Sequence, residues 1–302
     1  MQSIALRTSF VPVLVAFGAT SVALASYESG YAHFGKVSDT IQVLGNTHFN
    51  SGDYTYEMNI RLAPGSGFGH IISEQRDTYE DKTMRLAADG SYTFSGACNY
   101  GEPGDMAGTI PGLGAGEWMH LAYVRRSGIA TIYINGEARV ERLAPLAYGD
   151  HDGSWMSIGM FRYGAGWGPT EARDSFLGDL DWIRVSAGAR YTSNFIAPTE
   201  SQIAADASTQ LLLRFNEAAG TSVLVDESSN HFICNMGVPV YPGVVGTAPT
   251  LMYGAVPAPG ALVVLVASAV LGRSRRRSEA AAARHVHSTA SAPRFDAACG
   301  YR

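Results

Sequence analysis

Gly116 to Glu137 reads GEWMHLAYVRRSGIATIYINGE. Met119, Leu121 and Tyr123 alternate with His120, Ala122 and Val124. After a short polar break, Ile129, Thr131 and Tyr133 alternate with Ala130, Ile132 and Ile134. Side chains on a strand point to opposite faces with a period of two, so this stretch predicts two strands of an antiparallel sheet. Asn135-Gly136 supplies the two positive φ values of a type I′ hairpin turn.

The same reading extends in both directions. A first strand region runs from Tyr27 to about Asn50, with Ile41, Val43 and Leu44 apolar. Tyr54 to Leu62, YTYEMNIRL, alternates, and Ile71-Ile72-Ser73-Glu74 fits a further strand. Thr83 to Phe94 predicts a hairpin turning at Asp89-Gly90. Gly101 to Gly116 is rich in Gly and Pro and reads as a loop. Trp155 to Phe161, Ser175 to Ser186 (SFLGDLDWIRVS) and Leu211 to Asp226 (LLLRFNEAAGTSVLVD) supply later strands. No repeat of 20–50 residues is visible, which excludes a propeller or solenoid.

These blocks, in this order, resemble the laminin-G-like, concanavalin A-like lectin/glucanase jelly rolls. Gly116 to Glu137 is similar to their G-x-W-x-H … Y-v-N-G-k core, and Arg190 to Glu200 to the tail of bacterial and phage members. Met58 stands where that family carries a tryptophan. The resemblance implies an all-β sandwich of two antiparallel sheets over residues 26–236, with extracellular recognition as its class of function.

The ends read as addresses. In residues 1–25, Arg7 precedes an apolar run from Phe10 to Leu24, and Ala23-Leu24-Ala25 is an A-x-A site. This is the order of a secretory signal peptide cut after Ala25. Residues 237–255 carry Pro239, Pro242, Gly243, Gly246 and Pro249 and read as a linker. Residues 256–277 read VPAPGALVVLVASAVLGRSRRR. The uncharged run from Pro257 to Gly272 would span about 24 Å as a helix, short of a hydrocarbon core of roughly 30 Å. Snorkelling arginines close that gap. Arg273, Arg275, Arg276 and Arg277 then mark the cytoplasmic side. Pro257 and Pro259, the short apolar helix and the Arg cluster resemble the PEP-CTERM sorting signal of Gram-negative bacteria. That resemblance implies a C-terminal transmembrane helix, processing by exosortase, and a place in the cell envelope or at the cell surface. Ser278 to Arg302 is a polar tail, longer than that family carries.

Hydrophobic content of 46% is enough for a core, and charged content of 16% is below the usual quarter or so. The net charge is −5 and the arginines concentrate towards the C-terminus, so the body is more acidic than the total. No basic stripe runs through it, which argues against a nucleic-acid partner. Cys98, Cys234 and Cys299 show no metal-type spacing. Cys98 and Cys234 are either a disulfide of an exported protein or two buried thiols.

The chemistry points to binding and not to catalysis. Retaining glycosidases need two carboxyls about 5–5.5 Å apart. Asp179 and Asp181 share a strand parity, but Arg184 stands where a further acid belongs, so a structural role is expected for both. His120 lies between apolar residues and reads as a packed, hydrogen-bonded histidine. No Gly-x-Ser-x-Gly elbow is present. Calcium, which takes 6–8 oxygens, has candidates in Asp150/Asp152 and Asp39/Asp53, though neither pair has a ligand-specific spacing. The loop RYGAGWGPTEARD sets Tyr163 and Trp167 among glycines, with Arg162, Glu171 and Arg173 for hydrogen bonds. Exposed aromatics of this kind stack on sugar rings, so glycans or matrix polysaccharide are the expected partners. The alternatives are a structural cell-surface or biofilm-matrix protein and a divergent glycoside hydrolase.

Overall fold

The computed structural model describes residues 26–45, 52–76, 79–95, 106–111, 113–144, 155–160, 175–238 and 246–257. In chain order its strands are β1 (Ser26–Phe34), β2 (Ile41–Leu44), β3 (Tyr54–Leu62), β4 (Gly69–Arg76), β5 (Tyr79–Leu86) and β6 (Ser91–Ser95). Then come β7 (Met106–Thr109), β8 (Trp118–Arg126), β9 (Ile129–Ile134), β10 (Glu137–Leu143), β11 (Trp155–Ile158) and β12 (Gly178–Ala187). The last are β13 (Thr209–Leu213), β14 (Val223–Val225), β15 (Ile233–Met236) and β16 (Thr250–Pro257).

They form two eight-stranded antiparallel sheets. The first runs β10-β9-β8-β3-β12-β1-β16, with β13 also beside β12, and the second runs β14-β15-β2-β11-β4-β5-β6-β7. Ile60, Met58, Leu121, Leu180 and Ile183 of the first sheet face Ile41, Val43, Met84, Met156 and Ile158 of the second across one buried core. Apolar alternation puts one face of each strand into this layer, and its burial drives the stacking. Met58, in the place of the family's tryptophan, is fully buried there.

The central strands of the first sheet are buried on both faces. The reason is a strap. The chain after β12 crosses the outer face, where Tyr191 and Phe195 pack on Ala122, Val124 and Tyr133, and Ile203 packs on Trp182 and Leu212. A short 3₁₀ turn, Glu200–Gln202, with Thr199 as its cap, ends the crossing.

Three expectations are corrected. The loop read over 101–116 contains β7, which pairs with β6 but buries only Met106. The first strand region is two strands in different sheets. The linker read over 237–255 enters the sandwich in its described part: Asp39 and Thr247 bridge, and β16 pairs with β1 from Ser26↔Pro257 to His33↔Thr250. Leu251 and Val256 are buried, and their spacing was masked by the surrounding Gly and Pro. Val256 and Pro257, expected to open the membrane anchor, therefore end a sheet strand. No helix among the described residues is long and apolar enough to cross a membrane. The signal site at Ala25 and the anchor residues Pro259, Arg273, Arg275, Arg276 and Arg277 lie outside the described residues.

Candidate functional site

Strand register assembles the site. Trp118 of β8 pairs with Arg61 of β3, Arg61 with Asp179 of β12, Asp179 with His33 of β1, and His33 with Thr250 of β16. Paired residues share a face, so these five side chains form one row across the outer face of the first sheet, beyond the reach of the strap. The Asp179 carboxylate joins the row. Its Oδ2 accepts from Arg61 Nε at 2.7 Å, and its Oδ1 lies 2.7 Å from His33 Nδ1. The Arg61 guanidinium sits 4.9 Å from the Trp118 ring centre and 5.8 Å from that of Tyr31, a cation–π arrangement. The Tyr31 and Trp118 rings meet edge to face at 5.6 Å. Asp179 is only 8% exposed, while Arg61 and His33 are 34% and 49% exposed. The result is an accessible surface of aromatic rings and hydrogen-bonding nitrogens laid over a consumed carboxylate.

Further under the strap the outer face is polar but closed. Glu57 receives Arg184 Nε at 2.7 Å and the Tyr191 hydroxyl at 2.7 Å, with His120 Nε2 at 3.4 Å. Glu57 and His120 are fully buried. Burial pushes the Glu57 carboxyl up, but the hydrogen bond from His120 and the charge and hydrogen bond of Arg184 outweigh it and hold it at about 2. Such a knot holds a charge in place and offers a substrate nothing. His120 is packed and hydrogen-bonded, as its setting in the sequence predicts.

Asp179 and Asp181 do not make a catalytic pair. The β12 register shifts between Leu180 and Trp182, and Asp181, fully buried, accepts from Asn59 Nδ2 at 3.1 Å. The calcium candidates Asp39 and Asp53 lie at opposite ends of the sandwich. Asp39 Oδ2 accepts from the backbone N–H groups of Gly35 and Lys36, its Oδ1 accepts from Thr247 at 2.5 Å, and Asp53 Oδ1 accepts from Ser127 N–H. Among the described residues no group of three or more His, Cys, Asp or Glu is placed to hold a metal. Asp150 and Asp152 lie outside the described residues, as does Cys98. Cys234 is a buried free thiol, pushed up to about 12 by burial. Inside the sandwich Tyr54, Tyr56, Tyr123 and Phe94 line a cavity of about 10 Å³, room for no more than one water.

Arg162, Tyr163, Trp167, Glu171 and Arg173 lie outside the described residues. The segment that carries them is rooted by the Met160–Ser175 bridge and by the Ser175 hydroxyl, which donates to the Val37 carbonyl. That root is at the end of the sandwich where the exposed row lies. The row itself was missed by sequence reasoning. Its residues occupy polar-parity positions on five strands, but nothing in a single sequence tells which residue stands beside which.

Residues 34–194, just over half of the chain, match the Laminin_G_3 family, the concanavalin A-like lectin/glucanases superfamily. Among solved structures, a candidate carbohydrate-binding protein from Bacteroides ovatus is similar, at 17% identity and a TM-score of 0.51 over 76% of this chain and 61% of that one. This chain thus spans about three-fifths of that protein's length. A heptameric SAP-like pentraxin from Limulus polyphemus aligns at 18% identity and a TM-score of 0.41, over 54% of this chain and 78% of that one. At such identities the likeness to the first speaks for the fold alone. No curated protein matches the sequence.

Proposed function

The chain belongs to the concanavalin A-like lectin/glucanases superfamily, and from that premise we propose that it is an exported, surface-tethered protein that binds glycans and catalyses no reaction. A fold of this kind hosts many functions, so the reading has to stand on a site. The observation that carries it is the row Trp118–Arg61–Asp179–His33, with Tyr31 beside it. Sugar rings present apolar C–H faces and hydroxyl edges. Aromatic rings receive the former, and a fixed guanidinium and imidazole receive the latter. The Asp179 carboxylate is committed to positioning its two neighbours, which favours binding over acid–base work.

The loop residues Arg162, Tyr163, Trp167, Glu171 and Arg173 form part of the proposal as a second contact, rooted at the same end of the sandwich. Export through the signal peptide, and tethering with exosortase processing at residues 256–277, rest on the sequence. Calcium at the loop end belongs to the same proposal. The test is a glycan array probed with the purified full chain, with and without calcium. Retention of at least one glycan, reduced about tenfold or more in Trp118→Ala, is the expected result. An array that retains nothing under either condition overturns the reading.

A further inference from the structure

We propose that the ligand of this row is an acidic polysaccharide, held by a carboxylate on the outer fork of Arg61; this rests on the glycan-binding reading. Hydrogen-bonding capacity is spent at Asp179 and unspent at Arg61. Asp179 has both oxygens engaged and is nearly buried, so the row offers no free carboxylate to a ligand. Arg61 is tied down through Nε, and among the described residues its Nη1 and Nη2 groups have no hydrogen-bond partner. The Arg61 side chain is one-third exposed, and its guanidinium is held by Asp179 on one side and by the rings of Trp118 and Tyr31 on the other. A guanidinium fork offering two parallel N–H groups matches a carboxylate's two oxygens, and such bonds are roughly twice as strong as neutral ones. His33, half-exposed and held through Nδ1, presents the remaining edge of its ring, and the exposed Thr250 hydroxyl ends the row.

The shape favours a chain of sugars over a lone anion. From Trp118 to His33 the row crosses four strands, about 14 Å at the usual strand spacing, which is longer than one sugar ring. Trp118 from β8 and Tyr31 from β1 meet over the row and supply a face for a ring, and the donors of Arg61 and His33 beside them supply partners for its acid group. An acidic peptide shares the carboxylate but not the flat apolar ring face. Uronic-acid polymers carry both.

Binding of the full chain to polygalacturonate, to its fully methyl-esterified form and to polyglutamate tests this by titration calorimetry. The expected result is binding to polygalacturonate at least tenfold tighter than to either other polymer. Arg61→Gln should erase the preference for acid over ester, and Arg61→Lys, which keeps the charge but loses the fork, should retain part of it. His33→Gln, at a half-exposed position, should weaken the acid polymer several-fold with the ester unchanged; it serves as the variant if loss of Arg61 impairs folding. Equal affinity for acid and ester, or a preference that survives both Arg61→Gln and His33→Gln, overturns the inference. It leaves glycan binding standing if Trp118→Ala still reduces retention on the array about tenfold or more. Tighter binding to polyglutamate also overturns it. If nothing is retained on the array, the glycan reading and this inference fall together.

Discussion

Glu57 shows how far a single residue can organise this sheet. A carboxylate with no exposure is costly unless it is paired and hydrogen-bonded. Here Arg184, Tyr191 and His120 surround it, and Arg190 Nε stands 3.5 Å away. Its carboxyl is held at about 2 in the folded chain, below the ordinary value of 4.5. A depressed folded value gives stability that is fully present above the unfolded value and is lost as pH falls through the folded one. The window is therefore about pH 4.5 down to pH 2, and the gain at neutral pH is on the order of 3 kcal/mol. Thermal melts across this window should show a steep acid limb in the native chain. Glu57→Gln should flatten that limb and lower stability at pH 7 by about 3–5 kcal/mol, since it leaves Arg184 buried without its counter-charge. A variant whose acid limb matches the native one would show that other carboxylates carry the transition. His120 was legible in the sequence as a packed histidine, because apolar neighbours flank it. Glu57 was not, because its partners come from β8, β12 and the strap, and only the register brings them together.

Among the elements, the β9–β10 hairpin is the one that sequence chemistry settles most fully. Asn135 and Gly136 adopt φ of 51° and 80°, the two positive values that the Asn-Gly pair predicts. The structure adds a second demand. A Cβ on Gly136 would lie 1.9 Å from the Phe195 carbonyl oxygen, and the Phe195 N–H donates to the Gly136 carbonyl at 2.9 Å. Turn and strap are therefore one unit. Gly136→Ala strains the backbone and displaces the strap, and should cost about 2–4 kcal/mol, well above the roughly 1 kcal/mol of an ordinary turn substitution. Melting temperature reads the loss, and faster proteolysis between Tyr191 and Phe195 locates it; a drop without that cleavage would confine the damage to the turn. Elements without such local signals were not legible. Strand β7 buries one side chain of four and owes its existence to the pairing with β6. Asp179 and Asp181 do share the outer face, as parity predicts, but Arg61 and Asn59 of β3 and His33 of β1 decide that one is committed to the row and the other is buried beneath it. In both cases the deciding information sits on a neighbouring strand.

At the scale of the whole molecule, β16 changes where the sandwich ends and how it would be held. Ser26 pairs with Pro257, so both ends of the described body emerge side by side. The exposed row lies towards the other end of β1: from Ser26 to His33 is about 23 Å of strand. A chain tethered just after Pro257 would hold its candidate face away from the membrane, where a polymer could reach it. This arrangement depends on β16 being a structural strand and not a spacer. Leu251 and Val256 are buried, worth roughly 1.5–3 kcal/mol each, and β16 covers an edge of β1 that would otherwise be open to pairing with other chains. Against a typical total of about 5–15 kcal/mol, that is a large share. A chain truncated after Pro257 should melt as the full chain does. One truncated after Pro249, which removes β16 whole, should lose about 3–6 kcal/mol and self-associate through the bared edge, visible as a concentration-dependent increase in light scattering. If both truncations melt alike and stay monomeric, β16 contributes only reach, and the distance between tether and candidate face lengthens by its eight residues.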